Sequence, residues 1–375
     1  MNEQANTETP AINPKNPFRN ETEFTDYNSD YGEIVPQIRM EGCQIPLFPN
    51  RREKSRIRRY ENIVGGFLLG HLALMNLLFL ILGEIFIWLV SLSDGAIMEL
   101  PENYHSLAWE YFTGTSSYTA IMMLCIAGCS ILVTYFGCRA TKIPISNLFQ
   151  TKDFNFRLAL SYIMIALLIQ TVTAWLAIGI EELMEGVGIA SYDPDLSDMH
   201  DVKSIMMDFI YGVIVAPITE ELLVRGFVMK NLCRVSQRFG IIMSAFFFGV
   251  WHENIPQFVL AFTAGCFFGY LTVKHNSLIP SIIAHISVNL CATIFDILDT
   301  KHLDTAYDAF NILYTMMVLA GAVLLIKMLI TERFPRSTPE QAERGVRVAV
   351  TSPLLMGVLL CHIGSMVFLI MEENM

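Results

Sequence analysis

Nine long apolar stretches, separated by shorter polar segments, decide what this chain can fold into. They lie at about 62–92, 116–138, 157–180, 204–230, 240–255, 257–274, 278–297, 308–331 and 348–371. A helix crosses the hydrocarbon core of a bilayer with about 20 apolar residues, and a helix is the one open-ended element that satisfies its own backbone in lipid. The expected fold is therefore all-α, a polytopic transmembrane bundle of about eight to nine membrane helices. The first stretch is long enough to run past the bilayer. The fifth and sixth are short, joined at Asn254-Ile255-Pro256, and read as a tight helical hairpin. Composition agrees with a membrane protein: of 375 residues, 53% are hydrophobic and 16% charged, too little charge for a soluble chain of this length.

The net charge of −11 conceals a segregation of signs. Arg51, Arg52, Lys54, Arg56, Arg58 and Arg59 precede the first stretch, and Asp94, Glu99, Glu102 and Glu110 follow it. The next connection is basic, with Arg139, Lys142 and Lys152. The one after it is acidic, from Glu181 and Glu182 to Asp201. This alternation continues to Lys327, Arg333, Arg336, Arg344 and Arg347 before the last stretch and Glu372 and Glu373 after it. The positive-inside rule then places the N-terminus in the cytoplasm and the C-terminus outside. The basic run beside the first stretch reads as an inner-face anchor, and nothing points to nucleic acid.

Four regions follow. Residues 1–60 form a polar, disordered cytoplasmic tail ending in the basic run; 61–200 hold the first transmembrane helices; 201–300 hold the polar membrane segments; 301–375 hold the last helices. The eight cysteines show no CxxC pair, so neither a disulfide framework nor a zinc knuckle is indicated. No cleavable leader is visible, because the first apolar block starts only after residue 60. No internal repeat is evident.

Ionisable residues inside membrane helices are costly and usually functional. The fourth stretch carries Ala216-Pro217-Ile218-Thr219-Glu220-Glu221-Leu222-Leu223-Val224-Arg225. Glu221 and Arg225 are four apart and share a helix face in the favourable order, while Glu220 is turned about 100° away. Arg225 can thus neutralise one carboxylate and leave the other for chemistry. Pro217 frees a carbonyl one turn back. The fifth stretch adds Phe248 and His252, and the seventh adds His285 and Asn289, one turn apart. Counted from the cytoplasmic ends at 1.5 Å per residue, Glu220 lies roughly 15 Å deep, His252 roughly 18 Å, and His285 and Asn289 roughly 10 to 17 Å. Three helices therefore bring polar groups to one level. His71 and His362 lack such company and are read as structural. His252-Glu253-Asn254-Ile255-Pro256 begins like HExxH but has proline where the second histidine belongs.

EExxxR, FxxxH and HxxxN in this order, within about 70 residues, resemble the CPBP family of intramembrane proteases, which includes the CAAX prenyl endopeptidase and bacterial proteins of bacteriocin processing and immunity. The resemblance covers roughly residues 204–297. It implies that Glu220 is the catalytic carboxylate and that Glu221 and Arg225 support it. It implies that His252 with Glu220 holds and activates a water, and that His285 and Asn289 stabilise the oxyanion. CAAX cleavage in particular is not implied.

The residues themselves agree with such chemistry, since peptide hydrolysis needs a base for water and donors for the oxyanion. No serine, cysteine or threonine stands in a nucleophile setting. Two histidines and a glutamate can also bind zinc with an open position, so a zinc ion is the second possibility. The expected function is a multi-pass endopeptidase of the cell membrane, opening to the cytoplasm and acting on a peptide or protein. The alternatives are a non-catalytic immunity or scaffold protein of the same fold and a proton-coupled transporter.

Overall fold

The computed structural model describes residues 49–93, 109, 112, 116–150, 154–190, 205–207, 209–332, 334 and 346–374. Most of the expected tail, and most of the acidic residues in the two long connections, lie outside these. The architecture is all-α. Nine helical segments of some length occur among the described residues: α1 Pro49–Ser93, α2 Ser116–Ala140, α3 Phe156–Gly186, α4 at 209–232, α5 Gln237–Val250, α6 Ile255–His275, α7 Ile279–Thr300, α8 Asp304–Thr331 and α9 Pro353–Glu373. Each corresponds to one apolar stretch of the sequence. Seven of them, all but α4 and α5, are continuous, long and apolar enough to cross a membrane, and the chain is a multi-pass membrane protein.

The two exceptions have physical causes. α5 has 14 residues, about 21 Å at 1.5 Å per residue, short of a ~30 Å hydrocarbon core. α4 is a hybrid: π-helix over Phe209–Val215, α-helix over Ala216–Glu221, π-helix over Leu222–Met229 and a last α turn. π-Turns are rare and concentrate at functional sites. Here they bracket Glu220 and Glu221.

Local chemistry sets the boundaries. Ser236 Oγ accepts the Phe239 N–H at 3.1 Å and starts α5. Asn254 Oδ1 accepts the Gln257 N–H at 2.9 Å and starts α6, with Pro256 in its first turn. Asn276, at φ +52°, ends α6 in the left-handed conformation. The hairpin turn is thus residues 251–254, slightly before the join expected at 254–256, and His252 lies just past the end of α5 rather than within it. Its arms close tightly because Gly249 faces the Phe258 ring, where a Cβ would come within 2.8 Å. Gly321 of α8 likewise lies directly against the Met164 backbone of α3, the small-residue contact on which membrane helices pack.

One buried cluster joins α1, α2, α4, α5 and α9, including Val64, Val133, Leu223, Phe227, Ile241 and Val358. A second joins α3, α6, α7 and α8 through Tyr162, Leu167, Phe268, Leu271, Val288 and Met328. The polar residues of α4 and α7 and of the α5–α6 hairpin meet where these two layers adjoin.

Candidate active site

The site is built outward from a fully buried ion pair. Arg225 Nη1 donates to Glu221 Oε1 at 2.8 Å, and neither side chain has any exposed surface. Two apolar rings accommodate the guanidinium: its carbon stands 4.5 Å from the Phe248 ring centroid and 5.6 Å from that of Phe268. Cations favour aromatic faces most where water is excluded. Gly265 leaves the room for it, since a Cβ there would come within 3.0 Å of Arg225 Nη2. Phe248, the aromatic residue of the FxxxH motif, therefore contacts Arg225 directly.

His285 connects the two carboxylates. Its Nδ1 is 3.2 Å from Glu221 Oε1 and its Nε2 is 3.7 Å from Glu220 Oε2. Glu221 is buried with Arg225, whereas Glu220 keeps about a quarter of its side chain exposed (27%). Their 100° offset on the helix thus sends the two carboxylates into different surroundings. The His285 ring stacks on Phe268 at 5.0 Å and meets the edge of Phe248 at 5.9 Å.

His252 Nδ1 lies 2.8 Å from the Phe248 carbonyl oxygen. A carbonyl only accepts, so Nδ1 carries the proton, and in the neutral ring Nε2 keeps its lone pair. Asn289 Nδ2 donates to the Gly212 carbonyl at 2.8 Å. The local sequence explains that bond. In the π-register of Phe209–Val215 each N–H bonds five residues back, and the donor due to Gly212 is Pro217, which has none. Asn289, 77 residues away, supplies it and retains a second N–H.

His252, His285 and Asn289 line one cavity of about 380 Å³, with Gly212, Phe248 and Phe268. Glu220 does not line this cavity; it stands beside it, with its Oε2 3.7 Å from Nε2 of the lining residue His285. Gln170 of α3 and Gln257 of α6 also line it. Sequence reasoning missed both glutamines, together with Phe268 and Gly265. The signal for the last two, a Gly and a Phe three residues apart on an apolar helix, is indistinguishable from ordinary packing.

The residues do not present a metal set. Among the described residues no group of three or more His, Cys, Asp or Glu is arranged to hold a metal ion. His285 directs one ring nitrogen to Glu221 and the other toward Glu220.

The two histidines read as structural do have partners. His71 Nε2 lies 3.1 Å from Ser130 Oγ, and His362 Nδ1 lies 2.7 Å from Glu253 Oε1.

Comparison with known proteins gives one result. Residues 202–291 match the family model described as Rce1-like, "Type II CAAX prenyl endopeptidase Rce1-like". No curated protein and no solved structure matches the chain. The matched segment holds α4, α5, α6 and the part of α7 that carries His285 and Asn289, so residues 202–291 of this multi-pass membrane protein are similar to the type II CAAX prenyl endopeptidases, a match that supports membership of the CPBP family of intramembrane proteases.

Proposed function

We propose that the protein is an endopeptidase of the cell membrane that hydrolyses a peptide bond with a water activated by Glu220 and His252. The supporting observation is the disposition of acceptors and donors around one cavity. Glu220 is the carboxylate that Arg225 does not neutralise. His252 turns its lone-pair nitrogen away from the Phe248 carbonyl. A water held by two such acceptors donates a hydrogen bond to each and directs an oxygen lone pair at a substrate carbonyl.

Charge favours the same direction of proton flow. Two ionised carboxylates against one guanidinium leave one negative charge in a site largely shut off from water. The proton that Glu220 takes from the attacking water cancels it. As the carbonyl oxygen becomes an oxyanion, Asn289 donates its second N–H. His285 lines the same cavity and is the second residue that the motif resemblance assigns to the oxyanion. Pre-placed donors of this kind are each worth about 10²- to 10³-fold in rate. Glu220 then passes its proton to the leaving amine.

The site opens toward the cytoplasm, a reading supported by the basic connections around α4, α5 and α6. Its substrate is a peptide presented at the membrane, and the family match makes a prenylated C-terminal peptide the first to try. The test is incubation of the purified protein in nanodiscs with a farnesylated CAAX peptide and a library of unmodified peptides, read by mass spectrometry. Cleavage at one preferred bond is expected. Complete inertness toward every peptide, in protein shown to be folded, contradicts the proposal.

A further inference from the structure

A second group of polar side chains gathers at the turn that carries His252. Glu253 occupies φ +54°, a conformation that costs a side-chain-bearing residue free energy and that glycine adopts freely. A glutamate there implies that its side chain is needed. Its carboxylate is held twice by α9: His362 Nδ1 lies 2.7 Å from Oε1, and Ser365 Oγ donates to Oε2 at 2.5 Å. Residues 362 and 365 are three apart and share one face of the helix.

The residue on the other side of His252 is held as well. Trp251 lies 6.3 Å from the His362 ring and 4.9 Å, edge to face, from His71 of α1, whose Nε2 is 3.1 Å from Ser130 of α2. Helices α1, α2 and α9 all lie outside residues 202–291. The His252 ring makes one hydrogen bond among the described residues, to the Phe248 carbonyl, which fixes the ring only if the turn backbone is fixed. Trp251 N, His252 N and Glu253 N each reach back three or four residues to close that turn.

We propose that Glu253 is a positioning residue for His252. Its carboxylate, clamped by His362 and Ser365, anchors the turn to α9 and keeps His252 Nδ1–H on the Phe248 carbonyl, so that Nε2 faces the cavity. The last helix, which bears no recognisable motif, thereby becomes part of the active site. The consequence for rate rests on the peptidase reading above; the consequence for the geometry of His252 does not.

The deciding variant is Glu253→Gly, which keeps the left-handed turn without strain and removes only the anchor. Two readouts are taken: kcat and KM on the farnesylated CAAX peptide, and the 15N spectrum of the histidine rings in nanodiscs. The wild type shows His252 as the Nδ1-protonated tautomer. In Glu253→Gly that signature is lost while thermal unfolding is preserved, and kcat falls about 10- to 100-fold at unchanged KM, the scale expected from a small misplacement of a catalytic group. Glu253→Gln, which can still accept from one partner and donate to the other, recovers most of the loss. His362→Ala added to Glu253→Gly costs nothing further, as members of one linked unit are non-additive. If Glu253→Gly fails to insert, Ser365→Ala removes one clamp and gives a smaller loss of the same kind.

An unchanged His252 signature in Glu253→Gly overturns the proposal whatever the rate does. A changed signature with full kcat overturns it too, because the position would then not matter to the reaction. A wild type inert toward peptides defeats the proposed function alone, and the spectra still decide whether Glu253 positions His252.

Discussion

Two carboxylate–cation pairs in this protein are alike in distance and opposite in setting. Glu221 and Arg225 meet at 2.8 Å with no exposed surface, and Lys274 and Glu332 meet at 2.5 Å with 26% of each side chain exposed. The second stands at the ends of α6 and α8, where Tyr270 also donates to Glu332 and both charged groups are open to solvent. The first lies where water is excluded, and among the described residues Arg225 Nε, Arg225 Nη2 and Glu221 Oε2 meet no hydrogen-bond partner. Separation alone therefore says little about what an ion pair does. Burial does not make the inner pair a good stabiliser, since desolvating both ions offsets most of their attraction. A pair retained on such terms, with unmet valences, beside a cavity and touching His285, is better explained by what it holds in place.

The sharpest way to break the contrast is to remove one member of the inner pair. Arg225→Ala leaves a buried carboxylate uncompensated and is expected to cost about 3–5 kcal/mol in unfolding free energy as well as all activity. Thermal unfolding in nanodiscs measures the first, peptide turnover the second. Replacing both partners, Glu221→Leu with Arg225→Met, restores most of that stability but leaves the protein inactive. A double variant that regains turnover would show the pair to be packing only.

A smaller loss is expected at the edge of the cavity. Asn289→Ala orphans the Gly212 carbonyl and costs about 1–3 kcal/mol, with a drop of about 10²-fold in kcat from the missing oxyanion donor. Loss of stability without loss of rate would confine Asn289 to bracing the π-turn.

The outer pair should respond least. Burial alone would raise the Glu332 carboxyl, but hydrogen bonds from Lys274 and Tyr270 outweigh it and hold the group below the usual carboxylate range. A carboxyl lowered in the folded state stabilises fully above its unfolded value, near 4.3, and that stabilisation is lost as pH falls through the folded value. Glu332→Gln should therefore lower stability by no more than about 1 kcal/mol at neutral pH, and the difference from wild type should vanish in acid. Stability curves recorded across that pH range test this. A difference as large as that of Arg225→Ala would erase the contrast between the pairs.

The same contrast explains what was legible beforehand. The apolar stretches predict the nine helical segments found among the described residues, seven of them long enough to cross a membrane, because transfer into lipid depends on composition over about 20 residues, a local property. Glu221 with Arg225 was legible for the same reason, being one turn apart. The contact of Asn289 with Gly212 and those of His362 and Ser365 with Glu253 were not, because they join residues 77, 109 and 112 apart and depend on which helices pack. His71 and His362 looked isolated only because their partners are remote in sequence. The π-turns of α4 were foreshadowed by Pro217 alone, which announces an orphan carbonyl but not which residue will serve it. Proline at 256 breaks HExxH at His252, and nothing in the sequence marks Glu253, which stands out only by its backbone angle and its partners.

The account stands on Glu220 as the acceptor of the water's proton. The direct test is turnover of a cleaved peptide by purified Glu220→Gln, a change that keeps size and polarity while removing the basic oxygen. We expect cleavage to fall by at least about 10²- to 10⁴-fold with insertion and thermal unfolding unchanged. Turnover at the wild-type rate would contradict it.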